Sequence, residues 1–345
     1  MGRRSLTVAA PLLRKTIRDS AASIAVMTSL LGLLVVAGAQ VMATTYGTPA
    51  ARAGLAGMAA AIPPLMRGFY GDPVAVGTTG GFITWHYGSL AVLLGGLWSL
   101  LALSSTLAGE ARRGTLEVVL AAPVSRWRIV GEKIAGHLSA LGIVLGLVAL
   151  ALWGTSRSLA LVPADEIEAA DAVAFAIGLG ARSLVTGALA FALAPLLGRG
   201  AAAGIAGATL VCAHLVHGYR EVVPLLGALD PWFPQSWAAD HRPLVGMTDW
   251  PGVAMTFAAA FALLALGGAS FSRRDVGVTL EARTPGLPTF LRGIRGPLGR
   301  SVAELLPSIT SWSAGLALYG FVMALVSRAL IDFLAGAGEL TAIWS

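Results

Sequence analysis

Long apolar stretches recur along this chain of 345 residues and leave few folds open to it. The first, residues 21–42, contains no charged side chain. About twenty such residues in a helix are enough to cross the hydrocarbon core of a bilayer. Comparable stretches follow at residues 85–108, 134–154, 172–197, 201–219, 252–271 and 312–334. The pattern predicts an all-α, polytopic transmembrane helical bundle of seven spans.

Composition excludes most other classes of protein. The chain is 56% hydrophobic and only 12% charged, with 43 glycines, which is far more apolar than a soluble domain. Its net charge of +6 suggests nucleic acid, but the arginines flank apolar spans, so we predict no nucleic-acid partner. The single Cys212 excludes an internal disulfide.

The distribution of basic residues predicts the topology. Seventeen lysines and arginines fall on the side of the N-terminus, against five on the other side: Arg52, Arg67, Arg157, Arg220 and Arg242. Cytoplasmic loops carry the excess of basic residues. We therefore predict a multi-pass protein of the inner or plasma membrane with a cytoplasmic N-terminus, in which residues 1–20 form an amphipathic helix leading into the first span.

The predicted outer segments contain fewer local signals. Residues 43–84 form a long loop with a short helix near 50–62, after which Trp85 is expected in an aromatic belt at the start of the second span. The turn at residues 198–200 is so short that the fourth and fifth spans must form an antiparallel hairpin. The proline- and tryptophan-rich loop 220–250 is expected to sit at the membrane interface and to dip partly into it.

One loop, residues 109–133, places eight charged side chains and a proline between two spans. Thr115 can cap a short helix, Glu117 lies favourably near its positive end, and Pro123 must end it. Ser125 then begins a new helix that runs into the membrane. Physical reasoning alone leaves an ordinary solvated loop equally open.

The loop resembles the one between the second and third spans of type-two ABC exporter permeases. The resemblance is carried by Glu110, Gly114-Thr115-Leu116-Glu117, Pro123-Val124-Ser125-Arg126 and Lys133. It implies a coupling helix that sits in a groove of the ATP-binding subunit. The implied ATPase-coupling residues are Glu110, Arg113, Thr115, Leu116, Glu117, Pro123, Arg126 and Lys133.

A phosphate-binding loop is absent from the sequence. Such a loop needs a glycine-rich turn followed by a lysine, and the only lysines, Lys15 and Lys133, lie in the wrong contexts. We therefore predict a transporter subunit rather than an enzyme, with no cofactor of its own. ATP and magnesium would be bound by a separate ABC ATP-binding subunit.

The spans divide the chain into a six-span permease unit at 21–275, a cytoplasmic linker at 276–308 and a seventh span within 309–345. Residues 295–299 resemble the start of the second half in double-length actinobacterial exporter permeases for tetronasin and polyketide antibiotics. The resemblance implies a second permease unit, either a second copy or a missing second half. It also implies outward movement of an amphipathic, drug-like or lipid-like compound, in contact with membrane lipid.

Three residues are candidates for the pathway. Arg182 falls near the middle of the fourth span, where it would line a substrate path or bind a lipid headgroup, unless the span is misplaced and the side chain reaches the outer surface. Trp232 and Phe233 lie in the stretch Leu229-Asp230-Pro231-Trp232-Phe233-Pro234, which with Arg242-Pro243-Leu244 resembles the segment before the last span in the same permeases. In that family the segment belongs to short helices that cap the outer end of the pathway. An aromatic interface belt explains Trp232 and Phe233 equally well.

Histidines supply the alternative function. His214 and His217 lie one helical turn apart, and Asp240 adjoins His241. Such a set suits a polytopic membrane enzyme with acid–base chemistry or a metal. A zinc site would need further carboxylate or cysteine ligands grouped with this pair, and we predict no metal site. A non-catalytic membrane scaffold is the third hypothesis.

Overall fold

The computed structural model describes residues 10–62, 67–68, 71–106, 125–221, 223–273, 296–299 and 301–302, with single residues at 306, 309, 313, 317 and 320. The described residues include eight α-helices with defined bounds. They are α1 Ala10–Asp19, α2 Ala21–Thr44, α3 Pro49–Ala61, α4 Thr79–Thr106, α5 Arg126–Leu159, α6 Ala169–Tyr219, α7 Pro224–Leu229 and α8 Trp250–Arg273.

The all-α polytopic prediction is confirmed. The described residues form helices and turns but no strand, and the helices α2, α4, α5, α6 and α8 are long and apolar enough to cross a membrane. These helices cover the first six predicted spans, because α6 contains two of them. The linker and the seventh span lie almost wholly outside the described residues.

The predicted hairpin is present within α6. Gly198 has φ 78° and ψ 165°, a conformation open almost only to glycine, and it separates a first arm, residues 169–197, from a second arm, residues 199–219. A Cβ added at Gly96 of α4 would lie 2.8 Å from Leu210 and 3.4 Å from Thr186. The two arms therefore lie side by side against α4.

Small residues let α4 and α6 approach closely. Gly95 packs against Ser183, and Gly187 packs against Ser99 and Leu103. In a membrane, where lipid is as apolar as leucine, such close backbone packing is a main source of helix association. The contact holds the hairpin against α4 along most of its length.

The helix restart predicted at Ser125 is confirmed. Its hydroxyl accepts a hydrogen bond from the N–H of Arg128 at 3.3 Å and so caps α5. Near the start of α5, Trp127 and Val130 pack against Gly268 in the last turns of α8. The start of α5, the end of α8 and the Gly198 turn mark one end of the bundle, called here the hairpin end.

The predicted position of Trp85 is wrong. Helix α4 begins at Thr79, six residues earlier than expected, because the hydroxyl of Thr78 accepts a hydrogen bond from the N–H of Gly81 and caps the helix there. Trp85 consequently lies in the second turn and is buried in a cluster with Phe82 and Met42. It belongs to the core rather than to an aromatic belt.

Three loops meet at the opposite end of the bundle, called here the clamp end. Arg52 of α3 forms two hydrogen bonds of 2.7 Å with Asp165, which lies in a 3₁₀ turn before α6. Arg52 also donates to the carbonyls of Tyr46 and Gly77. The helix predicted at 50–62 is α3, capped by the Thr48 hydroxyl at 3.2 Å.

Candidate functional site

A cavity of about 430 Å³ opens at the clamp end between α4 and both arms of α6. The loop after α6 forms part of its wall. Charged and aromatic side chains line it together with small residues. The charged lining residues are Arg67, Asp72, Arg182, Arg220, Glu221 and Arg242.

A non-helical segment reaches into the bundle beside this cavity. The carbonyl of Pro234 accepts a hydrogen bond from the hydroxyl of Thr256 at 3.1 Å, and Ala238 is buried with Ala181 and Val253. Residues 233–239 therefore lie between the first arm of α6 and α8. The predicted position of the loop at the membrane interface stays a prediction. Such backbone is tolerated at membrane depth only where protein or a polar cavity surrounds it.

Arg182 lies where this segment meets the cavity. It is thirteen residues into α6, or about 20 Å along the helix axis at about 1.5 Å per residue. Its Nε donates to the carbonyl of Gln235 at 3.1 Å. Within the described part of the chain, its terminal nitrogens have no hydrogen-bond partner, and they are not sealed from the cavity. The guanidinium thus faces the cavity.

Ion pairs hold the mouth of the cavity together. Asp240 lies 3.6 Å from Arg220 and 3.5 Å from Arg242, and Arg242 lies 3.8 Å from Asp72. These contacts join the segments before α4 and after α6. The distribution of basic residues predicts that Arg220 and Arg242 lie on the outer side. No local pattern shows that they surround one cavity with Asp72, because these residues come from distant segments.

His217 corrects one inference from the sequence. Its Nδ1 lies 3.1 Å from Asp230, so a carboxylate does lie beside it, although thirteen positions away in the chain. Arg220 donates to His217 Nε2 at 2.9 Å. Arginine can only donate, so Nε2 accepts and Nδ1 carries the proton given to Asp230. Both ring nitrogens are thereby occupied, which disfavours a catalytic base here.

His241 is held in the same way. Its Nε2 donates to the carbonyl of Ala174 at 3.1 Å, and its Nδ1 accepts from the N–H of Asp249 at 3.0 Å. The ring packs on Gly178 and Trp250. His241 therefore fastens the loop to α6. Among the described residues, no three or more His, Cys, Asp or Glu side chains are grouped so as to hold a metal ion.

Trp232 and Phe233 lie apart from the cavity. Trp232 is 80% exposed, and neither residue belongs to the described lining. Trp232 is the last residue of a 3₁₀ turn, Asp230–Trp232, at the clamp end, and Phe233 follows it. Their role in capping a pathway stays a prediction.

Only two of the eight predicted coupling residues belong to the described residues. Arg126 begins α5 and Lys133 lies two turns further along it, both at the hairpin end. This end is opposite to the cavity. The other six lie outside the described residues: Glu110, Arg113, Thr115, Leu116, Glu117 and Pro123.

The fold and the site define a class: a multi-pass, all-α membrane protein with a charged cavity at one end of its bundle. No protein-family model matches the chain. Over 302 residues, 87% of its length, the chain is 29% identical to a multidrug efflux system permease protein, Rv1217c, of Mycobacterium tuberculosis. The matched region covers 52% of that protein, so the chain spans about half its length.

Proposed function

We propose that this chain is the permease subunit of an ATP-driven ABC exporter that moves an amphipathic, drug-like or lipid-like compound out of the cell. The observation that carries the proposal is the 29% identity, over 302 residues, to a protein named as a multidrug efflux permease. The all-α membrane bundle and its cavity support a transport role. The occupied nitrogens of His217 and His241 count against the enzyme alternative.

Energy for transport comes, in this proposal, from a separate ABC ATP-binding subunit that docks on loop 109–133. Two observations support a separate ATPase: the sequence holds no phosphate-binding loop, and the loop resembles a coupling helix. The N-terminus and the hairpin end would face the cytoplasm, as the distribution of basic residues predicts. The cavity would then face outward.

A second permease unit completes the proposed assembly. The matched permease is about twice as long as the region it shares with this chain, which supports a pathway built from two such units. The second unit would be another copy of this chain or a further half. The mass of the assembly extracted from native membranes distinguishes the two.

The coupling proposal is tested in inverted membrane vesicles from the native organism. We expect ATP-dependent uptake of an amphipathic dye, either Nile red or 11-(dansylamino)undecanoic acid. Replacing Glu117→Lys or Pro123→Leu should reduce uptake to the level seen with ADP. The first change puts a positive charge near the positive end of the docking helix, and the second removes the proline that ends this helix.

The control variant is Glu166→Gln, whose exposed side chain lies at the clamp end, away from the proposed ATPase. It should transport like the wild type. All variants must insert at equal levels. Wild-type uptake and ATP hydrolysis in both loop variants would contradict the proposed coupling.

A further inference from the structure

Arg182 carries a charge that its described surroundings do not balance. No carboxylate lies within ion-pair distance of it in the described part of the chain, and its terminal nitrogens open into the cavity. A charge at this depth is costly and normally pairs with another group or faces water. We propose that the cavity binds the anionic headgroup, a carboxylate or a phosphate, of an amphipathic molecule through Arg182.

The charge balance of the lining favours an anion. Four arginines line the cavity against two carboxylates, Asp72 and Glu221. Those two carboxylates already lie beside Arg242 at 3.8 Å and Arg220 at 3.7 Å. Asp230 and Asp240, which lie nearby, are engaged by His217 and by the same two arginines. The positive charge of Arg182 is therefore left for a ligand.

A second arginine, Arg67, adds to this positive charge. It donates to the carbonyls of Ile62 at 3.0 Å and Ala60 at 2.8 Å and has no ion pair with the described residues. Planar guanidinium groups match carboxylate and phosphate oxygens in shape as well as in charge. The cavity thus offers an oxyanion two arginines that form no ion pair with any described carboxylate.

Part of the cavity wall is apolar. Val92 of α4 and Phe175 and Leu179 of α6 belong to the same lining as Arg182. Gly88 also lines it, and a Cβ at that position would meet no atom within 4 Å. A volume of about 430 Å³ suits a small amphiphile, with the headgroup at Arg182 and the apolar part against α4 and α6.

Binding to the full chain in phosphatidylcholine nanodiscs tests this inference. The probe is 11-(dansylamino)undecanoic acid, compared with its uncharged methyl ester by dansyl fluorescence, with empty nanodiscs as background. We expect the acid to bind at least about tenfold more tightly than the ester, as a charge-assisted hydrogen bond allows. Arg182→Gln should remove this preference, whereas Arg182→Lys should keep part of it.

Matched variants separate the site from general effects of charge and size. Arg157→Gln removes an exposed arginine that does not line the cavity, and it should bind the acid like the wild type. Gly88→Leu fills the cavity and should weaken both probes. Gly146→Leu adds the same side chain where a Cβ meets nothing on α5, and it should weaken neither.

Equal binding of acid and ester to the wild type would overturn the inference. So would an unchanged preference for the acid in Arg182→Gln. If that variant does not fold, the wild-type comparison and Arg182→Lys decide.

Nanodiscs that contain phosphatidylglycerol distinguish two sources of the anion. If this lipid displaces the acid from the wild type, the headgroup is that of a membrane phospholipid. If it does not, the cavity takes a separate amphiphilic acid, and both results support the site. The transported compound's identity as that acid rests on the proposed function, but the assay uses no ATP or ATPase. If the loop variants transport like the wild type, the proposed coupling fails but the binding of the acid in nanodiscs still stands. If the acid does not bind through Arg182, the coupling proposal still stands.

Discussion

Asp165 joins distant parts of the chain through five hydrogen bonds. It accepts two from Arg52 and one each from the N–H groups of Thr79, Leu161 and Val162. Burial by itself raises the pKa of Asp165, but the hydrogen bonds from Arg52, Leu161 and Thr79 outweigh it and hold the pKa below its usual value. The hydrogen bond to Asp165 likewise raises the pKa of Arg52.

We expect Asp165→Asn to lower the free energy of unfolding by about 3 kcal/mol, because breaking a buried pair leaves Arg52 without its charge partner. A carboxyl group whose pKa is lowered in the folded state stabilises the protein above its unfolded pKa, about 3.8, and this stability is lost as the pH falls further. The difference in the free energy of unfolding between wild type and Asp165→Asn should therefore be largest at pH 7 and become smaller below about pH 4.

Thermal unfolding of the detergent-solubilised chain at several pH values measures this difference. Glu166→Gln is the matched control, because this neighbouring carboxylate is half exposed and lies 3.9 Å from Arg157. Its removal should change stability by less than about 0.5 kcal/mol. A pH-independent difference for Asp165→Asn would show that charge is not the cause.

The sequence did not predict the burial of Asp165. Asp165 is one of four acidic residues in the segment 165–171, and such a cluster favours an exposed loop. Its partner Arg52 is 113 positions away, and no local pattern connects the two. Arg182 differs, because a lone charge inside an apolar span indicates a polar site without any knowledge of the partner.

The helices themselves follow mainly from local signals. Uncharged runs of spanning length predicted α2 and α8 closely, and Ser125 predicted the start of α5. The start of α4 was missed because its first residues, Thr79, Gly80 and Gly81, are weak helix formers. They are helical because the Thr78 cap and contacts with neighbouring loops hold them.

The α6 hairpin depends on one backbone conformation. Gly198 combines φ 78° with ψ 165°, and an L side chain there is strained. We expect Gly198→Ala to lower the free energy of unfolding by about 1–3 kcal/mol. The second arm should also become easier to cleave by protease, because the strain falls on the turn that joins it to the first.

Gly200→Ala is the matched control for this variant. Gly200 lies two residues away in helical conformation, and a Cβ there meets nothing within 4 Å. Alanine is the better helix former, so stability should stay equal or rise by up to about 1 kcal/mol. Equal losses in both variants would show that the turn does not depend on the φ angle of Gly198.

At the scale of the whole molecule, the cavity is assembled from residues far apart in the chain. Arg67, Arg182 and Arg242 come from three separate segments, and only the packed bundle brings them together. Periodicity and charge counts predict how many helices form and which loops share a side. They cannot predict how the loop after α6 inserts between two helices, because that depends on contacts such as Thr256 with Pro234.

The proposed permease can work only if the cavity and loop 109–133 lie on opposite sides of the membrane. Glu166 marks the clamp end and Arg199 the hairpin end. Single cysteines at these positions, in a Cys212→Ala background, are treated with a membrane-impermeant maleimide in intact cells. We predict that Glu166→Cys is labelled at once and Arg199→Cys only after the membrane is opened. Labelling of Arg199→Cys in intact cells, with Glu166→Cys protected, would contradict the proposed orientation and with it the outward-facing cavity.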